Sequence, residues 1–63
     1  MLDISFYGAE GVRIVHERVD MNGSKPIYRV LVLAYQSGEW LEVMRLHGSQ
    51  VLPVELIDEV GEK

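Results

Sequence analysis

The sequence predicts an α+β fold: a four-stranded antiparallel meander with one C-terminal helix packed on one face. Three observations predict it. The run Ile27-Tyr28-Arg29-Val30-Leu31-Val32-Leu33-Ala34-Tyr35 is rich in β-branched and aromatic residues, carries one charge and is apolar on both faces. Gln36-Ser37-Gly38-Glu39 follows, then a second strand-like run from Trp40 to His47, so the two runs read as a hairpin. After Pro53 the apolar and acidic positions recur three and four apart, which is the period of a helix.

The elements follow in order. Leu2-Asp3-Ile4-Ser5-Phe6 alternates apolar and polar residues, as a half-buried strand does. Gly8-Ala9-Glu10-Gly11 is a turn, and Val12 to Val19 is the second strand. Asp20 to Pro26 is a loop carrying Asn22-Gly23. The hairpin supplies strands three and four, and the short connections favour an antiparallel meander. In the tail, Pro53 suits a first helical turn and Gly61 a C-terminal cap. Glu55, Asp58, Glu59 and Glu62 would form an acidic stripe opposite Leu56, Ile57 and Val60, with Leu52 just before the start. The alternative is a fifth strand, Val51 to Val60, closing a small five-stranded barrel of SH3-like type.

With Ser37-Gly38 as the turn, Tyr35 falls opposite Trp40, Leu33 opposite Glu42, Leu31 opposite Met44 and Arg29 opposite Leu46. The other face pairs Ala34 with Leu41, Val32 with Val43, Val30 with Arg45 and Tyr28 with His47. Setting Val19 opposite Ile27 brings Glu17 opposite Arg29 and Val15 opposite Leu31. The Leu31 face then holds Leu2, Ile4, Phe6, Val15, Leu31, Leu33, Tyr35, Trp40, Met44 and Leu46. This is the expected core, beneath the helix. The Val32 face holds Val12, Ile14, Val30, Val32, Ala34, Leu41 and Val43. A sheet apolar on both faces needs cover on both, and this chain has material for one. The Val32 face is therefore expected to bind a second copy or another protein.

Composition narrows the function. The 63 residues form one domain, 1–63, and a chain this short buries only about 60% of its unfolded surface. There is no cysteine, so disulfides and thiolate metal sites are excluded and oligomerisation remains as the aid to stability. The net charge is −4, of which −3 lies in residues 53–63, so generic nucleic-acid binding is disfavoured. No apolar run approaches the roughly 20 residues of a membrane span. No basic region precedes an apolar stretch near Met1, and a cytoplasmic location is expected.

One polar cluster is a candidate for chemistry. These registers gather His16, Arg18, Tyr28, Arg45 and His47 at one end of the Val32 face. Arginines bind phosphate bidentately and a histidine moves protons near neutral pH. The set could serve a phosphate-directed enzyme such as an endoribonuclease, but a solvated polar rim at a sheet end is the favoured reading. His16 and Glu17 point to opposite faces and do not chelate one ion, so no metal and no cofactor is expected. Trp40 beside Tyr35 is a core or edge anchor, or a partner hot spot. The preferred reading is a small non-catalytic interaction module, homodimeric, acting as a regulator or inhibitor. It would use Ile14, Val30, Val32, Leu41, Val43 and Trp40 on the sheet, or Glu55, Asp58, Glu59 and Glu62 on the helix. The phosphate-directed enzyme is the alternative. A nucleic-acid binder using Arg13, Arg18, Arg29 and Arg45 ranks last.

Overall fold

Three strands account for all the regular structure in residues 3–20 and 22–60, the part of the chain that the computed structural model describes. β1 is Gly11–Val19, β2 is Ile27–Gln36 and β3 is Glu39–Gly48. They form one open antiparallel sheet in the order β1-β2-β3. β2 lies in the centre because its neighbours in sequence can each fold back onto it. Its apolar residues then lie between two strands, while the more polar β1 and β3 take the edges.

The β2–β3 connection is fixed by its turn. Ser37 has φ 53° and Gly38 φ 83°, so both central residues are left-handed, as a type I′ turn requires. That turn matches the twist of the strands and sets Gln36 against Glu39 and Tyr35 against Trp40. β1 pairs with β2 in the register that places Glu17 against Arg29 and Val19 against Ile27. There the Arg29 Nε donates to Glu17 Oε1 at 2.6 Å.

The hairpin register departs from expectation in its second half. Leu33 lies opposite Glu42, but Val32 lies opposite Met44, Val30 opposite Leu46 and Tyr28 opposite Gly48. Val43 is an extra residue, a β-bulge. Because side chains alternate with period two, one inserted residue exchanges the faces of everything beyond it. Met44 and Leu46 move to the Val32 face, and Arg45 and His47 to the Leu31 face.

The α+β expectation is overturned: the structure is all-β, and no helix occurs among the described residues. Residues 53–60 are irregular rather than helical, and they add no fifth strand that would close a barrel. Eight residues are too few to hold a helix alone, since nucleation costs more than so short a ladder returns. Val54, Ile57 and Val60 are β-branched, and acids near the end would oppose the dipole. The apolar stripe that should have docked is exposed, with Leu56 91% exposed. Gly61 and Glu62 lie outside the described residues, as does Leu2. The proposed first strand is also absent: residues 3–7 have no regular structure. So short a segment makes few ladder bonds, and the glycines at 8 and 11 make its docking entropically costly. It is tied down instead by Gln36, whose amide donates to the carbonyls of Tyr7 at 3.2 Å and Gly8 at 3.4 Å. The Glu10 N–H donates to the Tyr35 carbonyl at 2.7 Å.

The core is small and lies on the unexpected face. Val30 and Ala34, 5% and 3% exposed, are its buried members, and both are on the Val32 face. The terminal segments meet the sheet at positions that point to this face. Gln36 holds the first segment at one end. At the other, a Cβ added to Gly48 would meet the Leu52 side chain at 2.7 Å, so Leu52 fills the place of the missing side chain. The chain that meets this face is irregular, not helical. The result is an extended molecule of 50 × 26 × 24 Å with a radius of gyration of 14.6 Å, against about 10.6 Å for a compact domain of this length.

Replacing Gly38 by valine forces a β-branched residue into the left-handed region and should destabilise the protein by about 1–2 kcal/mol. Ser37→Asn, which suits the same turn, should stabilise it slightly. Urea unfolding of the two variants beside the parent chain checks both signs.

Candidate functional site

The two faces of the sheet carry different chemistry. On the Leu31 face the dominant feature is an aromatic stack. Tyr35 and Trp40 face each other across β2 and β3, with ring centroids 5.0 Å apart and planes tilted by 52°. The indole reaches over β2 as far as Gly11 of β1, where an added Cβ would lie 3.6 Å from the ring. Arg13, two residues on and therefore on the same face, places its guanidinium carbon 4.0 Å from the indole centroid. Gly11 leaves the space and Arg13 closes it, so one tryptophan ties together all three strands.

Further along the same face lie two ion pairs. Arg29 bonds Glu17 across the β1–β2 ladder. Arg45 forms a two-pronged pair with Glu42, Nε to Oε2 and Nη2 to Oε1, both at 2.8 Å. Residues three apart in a regular strand point to opposite faces, so this pair exists only because of the bulge at Val43. The hydrogen bond from Arg45 holds the Glu42 carboxyl below its ordinary range, and the same bond pushes Arg45 up.

A cleft opens at one end of the sheet, where β1 and β2 meet the chain that follows β3. A surface cavity of about 240 Å³ is lined by His16, Glu17, Arg18, Tyr28, Arg29, Val51 and Leu52. Arg18 lies opposite Tyr28 in the ladder, its guanidinium 6.0 Å from the phenol ring centroid. Its Nε donates to Asp20 Oδ1 at 2.7 Å, which raises the arginine above its ordinary value. Arg29 also borders the cleft, but its side chain lies on the Leu31 face, bound to Glu17. An anion entering from the Val32 face would meet Arg18 and compete with Asp20 for it.

Of the five residues expected to form a catalytic cluster, the structure brings together His16, Arg18 and Tyr28. The bulge sends Arg45 and His47 to the other face, where Arg45 is engaged with Glu42 and His47 lies opposite Arg29. Two histidines on opposite faces of one sheet cannot act as acid and base on one substrate. Among the described residues no cluster of three or more carboxylates and histidines is placed to hold a metal ion, and no helix is long and apolar enough to cross a membrane.

The residues expected to bind a partner are distributed unevenly. Val30 is core, while Val32, Leu41 and Val43 are half-buried. Ile14 is 45% exposed and its neighbour on that face, Val12, is 65% exposed, both on the edge strand β1. Trp40 is exposed at the rim of the aromatic stack. Glu55, Asp58 and Glu59 are exposed in irregular chain and do not line up as a stripe; Asp58 instead accepts the Val60 N–H at 3.0 Å. Glu62 lies outside the described residues. Sequence reasoning missed Arg13 and Gly11 as partners of Trp40. The signal was a cation and a glycine at alternate positions of the strand that the tryptophan must cross. No protein-family model matches the chain, and no curated protein or solved structure matches it.

The lowered Glu42 carboxyl gives a pH test. A carboxyl depressed in the folded state stabilises the fold above its unfolded value, and that contribution is lost as pH falls through the folded value. The parent chain should be more stable than Glu42→Gln at neutral pH. The gap should close below the ordinary carboxylate range, as measured by urea unfolding at both ends.

Proposed function

We propose that this chain is a small non-catalytic interaction module that acts by protein–protein contact and whose fold is completed by association. One observation carries the reading. The chain exposes 5568 Å², whereas a folded monomer of its 7.2 kDa mass exposes about 4,100 Å². The excess, roughly 1,400 Å², is about what one partner contributes to a sizeable interface. Much of it is apolar, with Val12, Ile14 and Leu46 exposed on the sheet and Tyr7, Leu56 and Ile57 on the terminal segments. Exposed apolar area on this scale marks a contact surface. Chains of this length without disulfides or metals commonly reach stability by pairing.

The enzymatic alternative has less support. It needs a general acid and a general base on one substrate, and the two histidines lie on opposite faces. The arginines it would use for a phosphate, Arg18 and Arg45, are paired with Asp20 and Glu42. A regulatory role, exerted by occupying a partner's surface, is the reading that uses what the chain exposes.

Association that completes a fold makes stability depend on concentration. The melting temperature should rise across a dilution series from micromolar to millimolar protein, with light scattering reporting mass at each point. A monomer with a sharp melting transition that does not move with concentration would overturn the reading.

A further inference from the structure

We propose that the outer edge of β1 pairs antiparallel with the same edge of a second copy, about a two-fold axis at Val15, joining the two sheets into one. This rests on the association reading above and names the surface that carries it.

The edge is open. β1 is flanked by β2 on one side only, and among the described residues the one backbone bond outside the sheet ladders runs from Glu10 to Tyr35, away from that edge. Edges that must stay unpaired usually carry a proline, a bulge or uncompensated charges. Gly11–Val19 has no proline, pairs with β2 in an unbroken register, and carries charges of both signs, Arg13, Glu17 and Arg18. β3, the other edge, is bulged at Val43.

The sequence of β1 selects the partner. Val15 is the midpoint of Gly11–Val19, so an axis there pairs every residue of the strand with one of the second copy. Arg13 falls opposite Glu17 of the second copy, and Glu17 opposite its Arg13; Glu17 binds Arg29 through Oε1, and its Oε2 is the atom that would accept from the second copy. Both side chains are on the Leu31 face with Val15, so the two-fold produces two opposite-charge pairs around a Val15–Val15 centre. On the other face Ile14 meets His16, and exposed Val12 meets the aliphatic stem of Arg18. No neighbouring register does this. Within Gly11–Val19, axes at Ile14 or His16 bring no opposite charges together, and axes at Arg13 or Glu17 set like charges against each other. β3 offers no equivalent, since its ladder is broken and axes at Glu42 or Arg45 oppose like charges.

The chain has no cysteine, so a single introduced thiol reads the register directly. Residues directly opposite in an antiparallel pair have Cα atoms about 4.5–5.5 Å apart, within disulfide range. Val15→Cys should form a covalent dimer in high yield under mild oxidation, and Val43→Cys should not. A second arm does not depend on that variant folding. Arg13→Glu and Glu17→Arg should each weaken self-association by about tenfold or more, because each places like charges opposite one another twice. Mixed together, they should form a heterodimer in which both pairs are complementary again. A dimer that cross-links through Val43→Cys and not Val15→Cys, or a mixture that fails to associate, would overturn the edge pairing and leave the association reading standing. A stable monomer at every concentration would overturn both.

Discussion

The rest of this structure depends on the demands of β2. Its backbone is bonded on both sides, to β1 and to β3, which confines it to the centre of the sheet. Its side chains are apolar on both faces, which is ordinarily a property of strands between two layers. This chain has no second layer of regular structure among its described residues. On the Val32 face irregular terminal chain meets the sheet at Gln36 and Gly48; Val30 and Ala34 are buried there, while Val12, Ile14 and Leu46 stay exposed. The Leu31 face is covered by its own long side chains: the indole of Trp40, the stem of Arg13 and the ion pairs of Arg29 and Arg45. Such cover keeps Leu31 and Leu33 half-buried without making a core of them.

The bulge at Val43 decides which chemistry goes where. It lets β3 present Leu41, Met44 and Leu46 to the face that holds the core, and Glu42, Arg45 and His47 to the face that does not. Without it, β3 would send Leu46 outward and an arginine toward Val30. Leu46 in that place sets an apolar side chain beside Val30, where Arg45 would instead have set a charge against the core. The bulge thus resolves a conflict between the apolar pattern and strict alternation. The same event separates His47 from His16 and removes the basis for a two-histidine site.

Much of the sheet was legible because it rests on local signals. Ser37-Gly38 specifies its turn, and the turn specifies the register as far as Leu33. The opposite charges of Glu17 and Arg29 identify the β1–β2 register despite a long loop. The bulge was legible too, in the adjacent apolar residues Val43 and Met44, where alternation slips by one. Reading β3 as uniformly alternating carried Arg45 and His47 to the wrong face, and the candidate site with them. The helix was misread for a different reason. Periodicity at Leu56, Ile57 and Val60 describes a face that could be buried, whereas a helix forms in so short a segment only when that face finds a surface. The surface assigned to it, the Leu31 face, is occupied by Trp40 and its neighbours. Whether a segment docks is a property of the whole fold, and spacing within the segment does not contain it.

The tight turn at Ser37-Gly38 has a kinetic corollary. Every strand pairs with its neighbour in sequence, so the contacts are local and the loops to be closed are short. The two-residue turn makes the β2–β3 hairpin the first unit to zip, on a scale of about 1–10 μs. β1 must close a longer loop and joins later. The indole of Trp40 meets Tyr35 when the hairpin zips, and meets Gly11 and Arg13 only when that last strand arrives, so the lone tryptophan is a built-in reporter whose emission changes in two steps, one for the hairpin and one for completion of the sheet.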